Sequence, residues 1–96
     1  MERLRDKLVF IANNYGDLSQ MEKTIEECAE LQKAILKYKR NPNTRTRDDI
    51  IDEIADVGIM LEQMKIILSC EDEAEIRTGY KIERQMDRIR YEQSKE

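Results

Sequence analysis

Apolar residues return at helical spacing through four successive segments of the chain. Leu4, Leu8, Ile11 and Tyr15 predict a first helix, which the turn signal Asn13-Asn14-Tyr15-Gly16 should end. Ser19 followed by Glu22 has the spacing of a capping box for a second helix, with Met21, Ile25, Cys28, Gln32 and Ile35 as its buried stripe. Lys37, Lys39 and Arg40 suit the end of that helix, where the dipole favours cations, and Asn41-Pro42-Asn43 breaks it. Thr46 with Asp49 offers a cap for a third helix running through Ile50, Ile54, Val57, Leu61, Met64 and Leu68. Ile51, Gly58, Ile59, Met60 and Ile67 fall outside that stripe, so the third helix should meet both its own domain and a second copy. Ser69 to Asp72 can cap a fourth helix with Ile82, Met86 and Ile89 as its apolar line, weakened at Gly79 and ending in a polar tail from Glu92 to Glu96.

Composition agrees with this pattern. The 96 residues are 40% charged and 40% hydrophobic, with one Pro and three Gly, which suits long amphipathic helices better than many short strands. The expectation is a single all-α domain over 1–96, a compact bundle of about four helices. A chain this short buries only ~65% of the surface its unfolded form exposes, so self-association as a homodimer or homotetramer is expected as well. The net charge of −4, from 21 acids against 17 bases, offers no positive excess to attract nucleic acid or an anionic membrane. No run approaches the ~20 apolar residues of a membrane span, and the acidic start Met1-Glu2-Arg3-Leu4-Arg5-Asp6 lacks the apolar core of a leader, so a cytoplasmic protein is expected. Cys28 and Cys70 have no CxxC spacing and read as reduced packing thiols.

The candidate chemistry is acidic. Asp48, Asp49, Asp52, Glu53 and Asp56 crowd one stretch of the third helix, and Glu26, Glu27 and Glu30 form a second knot in the helix before it. Glu27 and Glu30 project from neighbouring turns, as do Glu53 and Asp56, so side-by-side packing would bring four carboxylates together. The pairs Glu22/Glu26, Glu26/Glu30, Asp49/Glu53 and Asp52/Asp56 are like charges at i,i+4, each costing ~0.2–0.5 kcal/mol, which bound cations would relieve. With no histidine and two cysteines, such a site binds through oxygen, which selects Mg²⁺ or Mn²⁺ over zinc and points to phosphate chemistry. Spacing alone is equally met by a solvated helix face, and for Asp48 and Asp49 by the preference of carboxylates for a helix N-terminus.

The run Ile25-Glu26-Glu27-Cys28-Ala29-Glu30-Leu31, followed by Asp52-Glu53-Ile54-Ala55-Asp56-Val57, resembles the EExxE…ExxD signature of the MazG-like nucleotide pyrophosphohydrolases of the all-α NTP pyrophosphatase superfamily. Both halves, their order and the 22 residues between Glu30 and Glu53 agree with that pattern, and the match covers most of the chain. The resemblance implies Mg²⁺, with Mn²⁺ as the alternative ion, bound by Glu27, Glu30, Glu53 and Asp56, and a helper role for Glu26 among the catalytic acids. It implies hydrolysis of a (d)NTP to a (d)NMP and pyrophosphate, in keeping with nucleotide-pool housekeeping. Lys81-Ile82-Glu83-Arg84 matches the basic segment of the family's last helix, which implies contacts from Lys81 and Arg84 to substrate phosphates. The stripe of Arg77, Lys81, Arg84 and Arg88 nevertheless points away from Ile82, Met86 and Ile89, as a merely solvated basic face would.

Phosphoribosyl-ATP pyrophosphohydrolase, with similar paired acids, is a rival within the superfamily, although EECAELQKAI reads closer to the MazG-like group. A non-catalytic helical oligomer or adaptor is the rival from another class. Asn13, Asn14, Tyr15 and Gln20 lie near the start of the second helix, where an amide could read a base edge and a ring could stack, or where they simply serve the turn.

Overall fold

The computed structural model describes residues 3–95; Met1, Glu2 and Glu96, the outermost positions of the expected domain and tail, lie outside the described residues. Four helices follow in order, α1 (Leu4–Tyr15), α2 (Asp17–Arg40), α3 (Thr44–Ile67) and α4 (Glu71–Ser94), with no strand among the described residues. No helix is long and apolar enough to cross a membrane among those residues.

The three turns set the packing. Gly16 alone separates α1 from α2, at φ 91°, a conformation that a residue without Cβ adopts freely. Because the chain redirects within that one residue, α2 begins at Asp17 and no side chain caps it; Ser19 lies inside the first turn, which overturns the expected Ser19–Glu22 box. At the next turn Asn43, not Thr46, caps α3. The Thr46 backbone N–H donates to Asn43 Oδ1 at 2.9 Å, and the Asn43 N–H donates to Thr46 Oγ1 at 3.1 Å, so Thr46 is the inner member of the box. At the end of α3, Ser69 adopts φ 51° while the Ser69 N–H donates to the Ile66 carbonyl at 3.1 Å and the Cys70 N–H to the Lys65 carbonyl at 2.9 Å. Ser69 therefore closes α3 through a left-handed residue, and the N-cap of α4 is Cys70, without a side-chain cap bond. Glu71, Asp72 and Glu73 in the first turn of α4 complement its dipole instead.

The short connection at Asn41–Asn43 folds α3 back along α2, and α1 packs against both. Leu8, Ala12, Ala34, Val57 and Met60 are buried, together with the polar pair Gln20 and Gln63. The inward line of α2 is Gln20, Thr24, Glu27, Leu31 and Ala34; of the expected stripe Met21 and Cys28 are half-buried beside it, whereas Ile25 is 71% exposed and Gln32 and Ile35 are also outside. On α3, Val57 is buried and Ile50 and Met64 half-buried as expected, whereas Ile54 and Leu61 face out and Met60 faces in. Both helices carry apolar side chains on more than one side, and the seam runs through the small Ala34 while Ile25, Ile54 and Leu61 stay outside.

α4 stands apart. It buries no residue and packs only on α3 near the turn, where Arg5 of α1 also grips Glu71 through two hydrogen bonds of 2.9 and 3.2 Å. Ile82, Met86 and Ile89 are all exposed. The radius of gyration is 17.3 Å, against the ~12.5 Å of a close-packed domain of this length, because α4 projects from the three-helix body. Cys28 and Cys70 are free thiols, each half-buried.

Candidate metal centre

Packing α2 against α3 makes the acids converge on the seam. Glu27 lies on the inward line of α2, and Glu53 and Asp56 come from adjacent turns of α3. One carboxylate oxygen from each of these three lies within 4.8 Å of the others. The Glu27 side chain is only 12% exposed. Glu53 Oε2 is buried without a hydrogen-bond donor. The Glu53 carboxyl is held above its ordinary range, first by desolvation and then by the charges of Glu27, Asp56, Glu30 and Asp52. Such a lone pair is expensive to leave bare, and a proton or a cation would satisfy it.

Lys23, one turn before Glu27, partly offsets this repulsion. Its ammonium lies 3.3 Å from Glu27 Oε1 and 3.9 Å from Glu26 Oε2. Its pKa is raised, chiefly by the hydrogen bond to Glu27 and the charge of that residue, with Glu26 adding to it. Glu26 itself is largely exposed and stands on the flank of the cluster.

Of the four expected ligands, Glu27, Glu53 and Asp56 meet, while Glu30 is outside that trio. Glu30 instead lines an adjoining cleft of about 130 Å³ with Asp49, Asp52, Glu53, Lys33 and Lys37. Lys33 and Lys37 follow Glu30 at helical spacing and share this cleft with the acids; the sequence pattern marked Lys37 only as a cation suited to the helix end and did not single out Lys33. Lys81 and Arg84 do not join the cluster within one chain: they line a surface hollow with Tyr80, Glu83 and Asp87, all from α4. The separation follows from α4 touching the body only at its start. Lys23 and Gln63 were also missed. The spacing signals were there, Lys23 at i−4 from Glu27 and Gln63 in the same helical phase as Asp56, but neither belongs to an acidic motif.

The donor set suits a hard cation. Every candidate ligand is a carboxylate oxygen, the sequence contains no histidine, and one oxygen already lies buried without a partner. No family model, curated protein or solved structure matches the chain. Fold and site thus define a class: an all-helical protein with a carboxylate cluster in the seam of two antiparallel helices.

Proposed function

We propose that this seam is the divalent-cation site of a nucleoside triphosphate pyrophosphohydrolase, converting a (d)NTP to the (d)NMP and pyrophosphate. One observation carries the reading: the buried, unpartnered Glu53 Oε2 beside Glu27 and Asp56. The resemblance of the two acidic motifs to the MazG-like family supplies the reaction class. Glu27, Glu53 and Asp56 would hold Mg²⁺ or Mn²⁺, with Glu30 at the edge. When bound, the cation supplies Lewis-acid stabilisation of phosphate charge and a more acidic water.

The remaining roles belong to the chain. Glu26 would assist from the flank, where it shares Lys23 with Glu27, and Lys23 gives the cluster one balancing cation of the protein's own. Lys33 and Lys37 adjoin the acids and would neutralise charge that builds on the leaving pyrophosphate as the bond between the α-phosphorus and its bridging oxygen breaks. Water supplies the new oxygen on the α-phosphorus, and no covalent enzyme intermediate is needed. A second copy covering the bare face of α4 is part of the proposal, because a 24-residue helix with no buried side chain gains little from its own body. That arrangement would also let Lys81 and Arg84 serve a site on the neighbouring copy.

The test is product analysis. The protein is incubated with Mg²⁺ and a panel of ribo- and deoxynucleoside triphosphates, and pyrophosphate is distinguished from orthophosphate. Pyrophosphate is expected, and Glu53→Gln should abolish its release while keeping normal helicity. Orthophosphate alone would refute attack at the α-phosphorus. The absence of any product would move weight to a phosphoribosyl-ATP substrate or to a non-catalytic oligomer.

A further inference from the structure

Two turns from the carboxylates along the same seam, towards α1, lies a second cleft of about 520 Å³ with Ile11, Tyr15, Gln20, Lys23, Met60 and Gln63 in its lining. That volume is in the range of small-molecule sites, ~300–1,000 Å³. Gln20 and Gln63 are 5% and 0% exposed, and Gln20 Nε2 donates to Gln63 Oε1 at 2.7 Å. Gln63 Nε2 is buried with no acceptor. A fully buried amide that leaves a donor unmatched is a poor packing choice where Met or Leu would fill the same space, so its polarity calls for another explanation. Tyr15, at the rim, leaves most of its ring open.

Position along the seam indicates the ligand. Gln20 and Glu27 are separated by two turns on α2, as Gln63 and Asp56 are on α3, roughly 10 Å at ~1.5 Å per residue. An extended nucleotide has a comparable length between the hydrogen-bonding edge of its base and its 5′ phosphate. Lys23 belongs to both regions, lining the cleft while its ammonium touches Glu27.

We propose that this cleft seats the nucleoside of the substrate: Tyr15 stacks on the base, the base displaces the side chains that cover Gln63 so that its Nε2 donates to an acceptor on the base edge, and Gln20 reads the neighbouring group through its amide. The proposal rests on the pyrophosphohydrolase reading for its substrate class, but it concerns different residues. Gln63, absent from both acidic motifs, becomes the residue that sets base preference.

The experiment uses nucleosides, which lack phosphate, with the full chain in EDTA, so that no metal contributes; Glu22 and Glu26, which also line the cleft, stay unchanged across the variants compared. Adenosine, guanosine, cytidine, uridine and thymidine are titrated and their dissociation constants compared. The wild type should favour one base by about tenfold or more, and Gln63→Met, which keeps the volume and removes the amide, should erase that preference. Tyr15→Ala, at an exposed position where folding is not at stake, should weaken every nucleoside by about fivefold or more. No saturable binding, equal binding of all five, or an unchanged preference in Gln63→Met with unchanged affinities in Tyr15→Ala would overturn the proposal, whatever the pyrophosphate assay gives. Selective nucleoside binding without pyrophosphate release would instead sink the hydrolase reading and leave the cleft standing.

Discussion

Lys23 and Glu27 sit one turn apart on α2 with Nζ and Oε1 3.3 Å apart, so the one acid that α2 gives to the trio already has a cation in hand. Lys23 balances repulsion in the metal-free protein and competes with any metal for Glu27. Replacing it with Gln should lower the melting temperature in EDTA and enlarge the rise produced by Mg²⁺, since a more negative cluster attracts a divalent ion more strongly. Equal Mg²⁺-induced shifts in wild type and Lys23→Gln would show that Lys23 does not face the site.

Glu53 should make stability depend on pH in an unusual direction. Its carboxyl is raised above the ordinary 4.5. Between 4.5 and the raised value the folded state binds more protons than the unfolded chain, so this residue's contribution to stability falls as pH rises. Glu71 acts oppositely: Arg5 holds its carboxyl below the ordinary value, and the stability it adds is lost as pH falls. Comparing wild type with Glu53→Gln isolates the first effect. In EDTA, the melting temperature of wild type minus that of the variant should decline as pH rises above 4.5 and level off once Glu53 is ionised. Saturating Mg²⁺ should reverse the trend, and a flat difference in both buffers would contradict the burial assigned to Glu53.

α4 gives a prediction about assembly. Light scattering on the full chain should report at least a dimer, and Met86→Asp combined with Ile89→Asp should yield monomers with less helix by circular dichroism. A wild-type monomer of undiminished helicity would mean that α4 is stable uncovered.

Asn43→Ala tests the capping box apart from function. It should cost about 1 kcal/mol in urea denaturation, while Thr46→Ser should cost less because its hydroxyl can still accept from the Asn43 N–H. An unchanged midpoint for Asn43→Ala would place the start of α3 elsewhere.

Much of the architecture was legible in the sequence. Gly16 and Asn41-Pro42-Asn43 marked two of the breaks, and the acidic spacing put Glu27, Glu53 and Asp56 on facing turns once α2 and α3 lay side by side. The rotation of the helices was not legible. Ile25, Ile54 and Leu61 advertise an apolar face that the folded chain leaves outside, whereas the seam of α2 runs through Leu31 and Ala34 but also through Gln20, Thr24 and Glu27, polar residues that hydrophobic periodicity does not weigh. Caps were misplaced for local reasons: Gly16 redirects the chain before Ser19 is reached, Asn43 outcompetes Thr46, and Ser69 is consumed by its left-handed turn. Gln63 escaped because a buried amide carries no pattern of its own. Lys81 and Arg84 could be matched to a motif, but a helix that leaves the body cannot bring them to the acids of its own chain.

Manganese titration followed by electron paramagnetic resonance of the free ion tests most directly whether α2 and α3 grip one cation together. Saturable binding is expected in the wild type. It should weaken by more than the ~10–100-fold typical of outer-shell changes in Glu27→Gln, Glu53→Gln and Asp56→Asn, with smaller losses in Glu30→Gln and Glu26→Gln. No saturable binding in the wild type, or undiminished binding in Glu53→Gln, would contradict a shared site in the seam.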